Sequence, residues 1–386
     1  MRDLRTNWVS KLSPALHRGL LEAGQRAALR EGDVLLQQGD STTHLYLLES
    51  ASVEVHSEQG TRIELGPGSL VGEMAFLDNT LRTKTVVVKE AGSARRIERT
   101  DLMRQFVDNP EALQEMLNAI SQLREERLRD SSSESLSAAD YVSSLARESL
   151  LHRAVQHPYL RALAENQLPD LHWALADFAR QYASYSAHFP RYLTTVISRL
   201  EDPAHRSALM ENLTEESGVY EAGELAELEA IGIQRDWIVG IPHPILFRRF
   251  ATALGVDVKS NPESDQVACW REMFLAILGG GNAAEGLGAL GLGTENIVRT
   301  LYGPFVKAIA HLGTLAPEDS VFFPLHTAVD DHHQATLQEI SAAYATTPEG
   351  RVGLRRGMLK ALQLRSSFWD WLYARALNPQ GADSIL

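Results

Sequence analysis

Residues 322–340 read FFPLHTAVDDHHQATLQEI. At about 100° per residue on a helix, His326, Asp330 and His333 fall at about 0°, 40° and 340°, within one stripe of about 60°. Asp331 and His332 fall well off it. Imidazole, carboxylate and imidazole at i, i+4 and i+7 suit a first-row metal, iron above all where positions stay open for oxygen. One helix cannot surround an ion, so the stripe predicts facing helices and a bundle with an interior site. A lone helical histidine is more often a surface or capped core residue. Three such groups on one face weigh toward metal.

Two other stretches carry the same sign. TENIVRTLYGPFVKAI (294–309) places Glu295 in an otherwise apolar, small-residue helix. Burying a lone charge is costly, so this carboxylate must be paired, capping or metal-bound. ALMENLTEESG (208–218) ends a helix with clustered glutamates. Periodicity predicts further helices over 168–200, 203–217, 243–254, 264–278, 293–312, 318–343 and 350–376, each bounded by Pro or Gly. GLGALG (286–291) matches G-x-G-x-x-G, but no strand precedes it. Small residues that admit a close helix neighbour are the better reading.

The N-terminal third has another texture. Over 31–98, THLYLLES, SVEVHS, TRIEL, TKTVVVKE and SARRIE are short β-branched stretches separated by Gly, Pro, Asp and Ser. They predict a sandwich or small barrel. Residues 101–129 turn helical on Leu113, Met116, Leu117, Ile120 and Leu123. Five of the seven residues 131–137 are serine, which suggests a solvated linker or a capping turn. The expected division is therefore 1–130, a linker at 131–140, and a helical domain over 141–386.

Charge narrows the function classes. The net charge is −13. Residues 1–130 hold 17 Lys/Arg against 20 Asp/Glu, or −3, which leaves −10 for the helical part. A nucleic-acid partner needs a basic surface, and none is supplied. No apolar run approaches a membrane span, and the first twenty residues lack a secretory h-region. The single cysteine, Cys269, fits a reducing cytoplasm.

LGPGSLVGEMAFLDNTLRTKTVVVK (65–89) holds two glycines, a short helical turn and an arginine inside the β region. A helix N-terminus with one arginine suits a phosphate diester. The stretch resembles the cyclic nucleotide-binding domain over roughly residues 13–128, with Gly72, Glu73, Ala75, Arg82 and Thr83 on the cassette positions. The resemblance implies a β-roll in which Glu73 holds the ribose 2′-hydroxyl and Arg82 the cyclic phosphate of cAMP or cGMP. Leu81 stands where proline is frequent, Lys84 replaces a small residue, and Ala51 replaces a turn glycine. Regulators with this domain usually continue into a winged helix-turn-helix; acidic helical sequence follows here instead.

From about 160 to 380 the chain resembles the haem-oxygenase-like diiron oxidases, relatives of the TenA and PqqC folds. The resemblance is carried by Asn-Leu-x-Glu-Glu-x-Gly at 212–218, His-Pro-x-Leu-Phe-x-x-Phe at 243–250, Glu295 and His-x3-Asp-x2-His at 326–333. It implies an α+β multidomain chain ending in an all-α bundle. The implied ligands of two Fe ions per chain are Glu216, His243, Glu295, His326, Asp330 and His333. Glu216 is preferred to Glu215 by its spacing from Asn212. In many members the first Glu and His lie about two helical turns apart, whereas here 26 residues intervene. Haem would need a proximal histidine, and no motif singles out His152, His157 or His172. The implied activity is O2-dependent oxidation of a small organic substrate, with an electron donor and a homodimer. The rival expectation is a ligand-sensing scaffold with no catalytic metal.

Overall fold

The computed structural model describes residues 8–42, 44–56, 62–78, 82–132, 136–260 and 263–384. For residues 125, 128–132, 329–333, 383 and 384 it describes the backbone alone. The chain divides into two compact units, Met1–Glu134 and Ser135–Leu386.

The first unit is a β-roll. Its strands are β1 (Gln25–Leu29), β2 (Val34–Leu36), β3 (Leu45–Leu48), β4 (Ser52–His56), β5 (Arg62–Leu65), β6 (Leu70–Val71), β7 (Thr85–Glu90) and β8 (Gly92–Ile97). They form two antiparallel sheets, ordered β1-β8-β3-β6 and β2-β7-β4-β5. Leu36, Leu48, Val53, Leu65, Val71, Val86, Val88 and Ala94 make a small apolar core in the roll. Among the described residues, a 3-10 turn (Trp8–Lys11) and four α-helices accompany the strands: α1 (Pro14–Ala23), α2 (Glu73–Asp78), α3 (Arg99–Gln105) and α4 (Pro110–Ser132). On α4, Met116, Ile120 and Leu123 recur at i, i+4 and i+7 and pack with Leu16, Leu20, Phe76 and Phe106. The serine-rich stretch is partly helical, since α4 runs on to Ser132.

Ala51 costs the turn nothing. It is fully buried and does not have positive φ. The close approach falls on Gly92 across the turn, where a Cβ would lie 2.5 Å from the Ala51 nitrogen.

Among its described residues, the second unit's regular structure is all helical. In order it holds α5 (Ala138–Leu150), α6 (Pro158–Ala164), α7 (Leu171–Ala187), α8 (Phe189–Ile197), α9 (Pro203–Glu216), α10 (Ala222–Ala230) and α11 (Arg235–Ile238). There follow α12 (His243–Ala253), α13 (Asp265–Gly280), α14 (Ala283–Leu287), a π-helical segment Gly288–Glu295, α15 (Asn296–Leu312), α16 (Phe322–Tyr344) and α17 (Pro348–Leu377). Side-chain caps start many of them: Ser137, Asp170, Asp202, Ser264, Asn282 and Thr347 each accept from a first-turn amide. Phe178, Phe247, Phe305, Phe323 and Trp369 form the aromatic centre of the core.

The GLGALG stretch lies in α14 and the π segment, against α17. A Cβ on Gly288 would land on the Leu354 carbonyl, and one on Gly357 would land on the Glu285 carbonyl. These glycines let two helical backbones touch, which is a packing role.

Candidate metal centre and nucleotide pocket

Asp202 caps α9 and Pro203 fills its first turn, so the helix starts cleanly and carries Leu209, Asn212, Glu215 and Glu216 to buried positions. Gly218 then takes φ +86°, which glycine adopts without strain. The Gly240 amide donates to the Gly218 carbonyl at 2.8 Å, and a Cβ on Gly218 would lie 2.6 Å from the Ile241 nitrogen. The chain therefore leaves α9, runs through α10 and α11, and returns through a neck closed by main-chain atoms. α12 starts just beyond the neck, at His243. This is how a 26-residue separation still leaves Glu216 beside His243.

The His243 Nδ1 lies 3.1 Å from Glu216 Oε1, and the His326 Nε2 lies 3.9 Å from the same oxygen. Ligand atoms of the three residues all fall within 4.8 Å of one another. Metal bonds of about 2.0–2.2 Å place neighbouring donors about 3–4 Å apart, so one ion fits among them. Two imidazoles and one carboxylate, with positions left open, are a donor set typical of non-haem Fe(II). Both rings are oriented from behind. The His326 Nδ1–H donates to the Phe322 carbonyl at 2.7 Å, which leaves Nε2 as a lone pair facing Glu216. The His243 Nε2 lies 2.8 Å from the Tyr220 hydroxyl. Burial, with Glu216 and Glu215 nearby, pushes the Tyr220 phenol far above its usual range, so it stays protonated. Phe322 and Tyr302 flank the His326 ring and wall the site with apolar surface.

Glu295 is buried at the end of the π segment but does not belong to the converging trio. Glu215 is buried beside Glu216 and also stands outside it. Asp330 and His333 lie on α16, and their side chains are outside the described residues. Of the haem-type candidates, His172 is exposed. His152 accepts from the Ala154 amide, and His157 caps α6 while facing Asp370 at 3.1 Å. Tyr220 escaped the sequence reading because it sits inside the excursion, with no motif around it.

In the first unit, Arg82 is almost fully buried, and its guanidinium is held by three protein acceptors. It donates to Thr42 Oγ1 at 3.1 Å, the Gly72 carbonyl at 3.1 Å and the His44 carbonyl at 2.6 Å. Burial pushes its pKa down to about 10, which leaves it charged at neutral pH. Gly72 has φ +94°, and a Cβ there would meet Arg82 Nη1 at 2.6 Å. The buried Glu73 opens the short α2 and accepts from Arg127 Nη1 of α4 at 2.6 Å, while Arg127 Nη2 donates to the Leu70 carbonyl at 2.8 Å. Sequence reasoning missed this pair, because nothing in the local pattern links positions 54 residues apart. Ala75 is buried; Thr83 and Lys84 are half-buried; Leu81 lies outside the described residues.

His44 makes the stability of this unit acid-sensitive. Its Nδ1 accepts from Arg96 at 3.3 Å. Burial, then the Arg82 and Arg96 charges, push its pKa from 6.5 down to about 4. The unfolded histidine takes up its proton first, so His44 makes the unit less stable as pH falls from 6.5 to about 4 and adds no further change below that. Calorimetry on the full chain across this range is expected to show that slope for the wild type and a shallower one for His44→Asn.

Comparison with known proteins matches both units. The family model described as cyclic nucleotide-binding domain matches residues 26–109, and that described as iron-containing redox enzyme matches residues 176–366. A 4-aminobenzoate synthase of Chlamydia muridarum is 24% identical over 183 residues, covering 46% of this chain and 68% of that protein. A cAMP-dependent protein kinase regulatory subunit of Yarrowia lipolytica is 33% identical over 73 residues, covering 19% of this chain and 20% of that one. Among solved structures, a CADD-like protein of unknown function from Nostoc punctiforme has a TM-score of 0.50 at 18% identity, covering 63% of this chain and 97% of that one. No helix among the described residues is long and apolar enough to cross a membrane. The chain thus joins a domain of the cyclic nucleotide-binding family to a helical, haem-oxygenase-like domain of the iron-containing redox enzyme family.

Proposed function

We propose that the helical unit is a non-haem diiron oxidase that uses O2 to oxidise a small organic substrate. The observation that carries this reading is the convergence of Glu216, His243 and His326. Glu295, Asp330 and His333 are assigned as the ligands that complete a site for two irons. Ferrous iron supplies the electrons for oxygen reduction, which the side chains present do not provide. The protein's own part is orientation and charge. For Nδ1 of His243 to face an ion with its lone pair, Nε2 must carry the proton and donate it to Tyr220. Phe322 fixes the opposite choice in His326, so one imidazole presents Nδ1 and the other Nε2. The Glu216 carboxylate offsets cationic charge, and the aromatic wall limits water. The name of the chlamydial relatives, 4-aminobenzoate synthase, supports chemistry that yields an aromatic amine. Anaerobic Fe(II) titration is expected to saturate near two equivalents per chain. No uptake by the wild type would sink the reading.

The N-terminal unit is assigned as a regulatory domain that binds cAMP or cGMP through Arg82 and Glu73. Because Arg127 occupies Glu73, the ribose must displace it. Calorimetry is expected to show Arg82→Ala weakening binding by about 100-fold or more, and Arg127→Ala tightening it by about 3–10-fold. A wild type that binds neither nucleotide would favour a sensor domain that no longer senses, as the internal pairing of all three Arg82 guanidinium nitrogens allows.

A further inference from the structure

We infer that Asn212 holds a small anionic or dipolar ligand of two or three atoms at the Glu216–His243–His326 centre, an inference that rests on the metal-site reading above. Leu209, Asn212 and Glu216 follow one another at i, i+3 and i+7 on the buried stripe of α9. Side chains one turn apart on a helix have Cβ atoms about 5–6 Å apart. The Asn212 amide therefore stands one turn from a carboxylate that faces both imidazoles, within the span of a molecule touching the centre.

Asn212 is 3% exposed, and neither its Nδ2 nor its Oδ1 has a hydrogen-bond partner among the described residues. Buried amides nearly always find partners, because they have given up water to be there. Asn296 in the same unit gives the contrast. Its Nδ2 donates to the Ala146 carbonyl at 2.9 Å and to Ser149 Oγ at 2.7 Å, and its Oδ1 accepts from Gln334 at 2.6 Å and Gln338 at 3.1 Å. That amide is complete and ties α5, α15 and α16 together. Asn212 has the same groups and, among the described residues, uses none of them. Leucine has the same branching and number of heavy atoms, though larger ones, with no polar atom to satisfy, so an asparagine here is explained by an occupant. The occupant coordinates through one end and accepts from Nδ2 at the other, which excludes a large apolar molecule as the amide's partner.

Co(II)-loaded protein titrated with azide tests this by the ligand-field spectrum, without turnover. The wild type is expected to bind azide. Asn212→Leu is expected to keep the wild-type cobalt stoichiometry, weaken azide by about 5–20-fold, and raise the Tm of the metal-free protein, since an unsatisfied amide has gone. Asn212→Ala replaces it as the azide test if the leucine variant does not fold. Equal azide affinity in wild type and variant, with cobalt retained, overturns the inference. So does a wild type that ignores azide, or a lower Tm in Asn212→Leu, which would mean that buried water already satisfies the amide. A wild type that takes up no cobalt sinks the metal-site reading and this inference together.

Discussion

His326→Ala is expected to weaken Fe(II) uptake by more than about 100-fold, since losing an outer-shell partner alone typically costs 10–100-fold. The variant removes one of three converging donors and leaves Glu216 and His243 as the rest of the trio. Those two lie 3.1 Å apart and face each other, so without the second imidazole they can pair as a simple hydrogen-bonded couple. Anaerobic titration against a competing chelator measures the loss. Tyr220→Phe keeps every ligand and removes only the contact behind His243, so its expected loss lies between the wild type and His326→Ala. Wild-type affinity in His326→Ala would remove His326 from the site.

Gly288→Ala is expected to destabilise the helical unit by about 4 kcal/mol or more, one of the larger effects a single methyl can have. The added carbon would land on the Leu354 carbonyl of α17. Both partners are helical backbone, so no flexible side chain can give way. For a unit of this size the Tm would drop by about 10 °C. Gly223→Ala is the control: nothing lies within 4 Å of a Cβ there, and the residue sits in the first turn of α10. That variant is expected to be neutral or stabilising by up to about 1 kcal/mol. Thermal unfolding of the two variants against the wild type decides the matter. Equal Tm values for all three would mean that the close approach at Gly288 relaxes easily.

These contrasts mark what the sequence could reveal. Helices such as α9, α12 and α16 were legible because their buried residues repeat at 3.6-residue spacing and their ends carry Pro, Asp or Gly signals. The β-roll was legible from short β-branched runs between turn residues. The π-helical geometry of 288–295 was not, because a wider turn keeps nearly the same apolar pattern and depends on α17 pressing against it. His326 was readable by helical spacing and Glu216 through the family resemblance, whereas the return of His243 depends on main-chain atoms of Gly218, Gly240 and Ile241. Tyr220 and Arg127 act through contacts that no local motif records. Pairing across distance is a property of the fold.

The neck at Gly218 and Ile241 separates two kinds of change that are usually tied together. Its closure uses peptide atoms and one glycine, so the segment between can lengthen, shorten or be recast without relocating Glu216 or His243. That segment also carries Tyr220, the hydroxyl behind His243. On the proposed metal reading, coordination geometry is inherited from the bundle, while ligand basicity, and with it the reduction potential of a bound ion, can be retuned by exchanging an interchangeable cartridge.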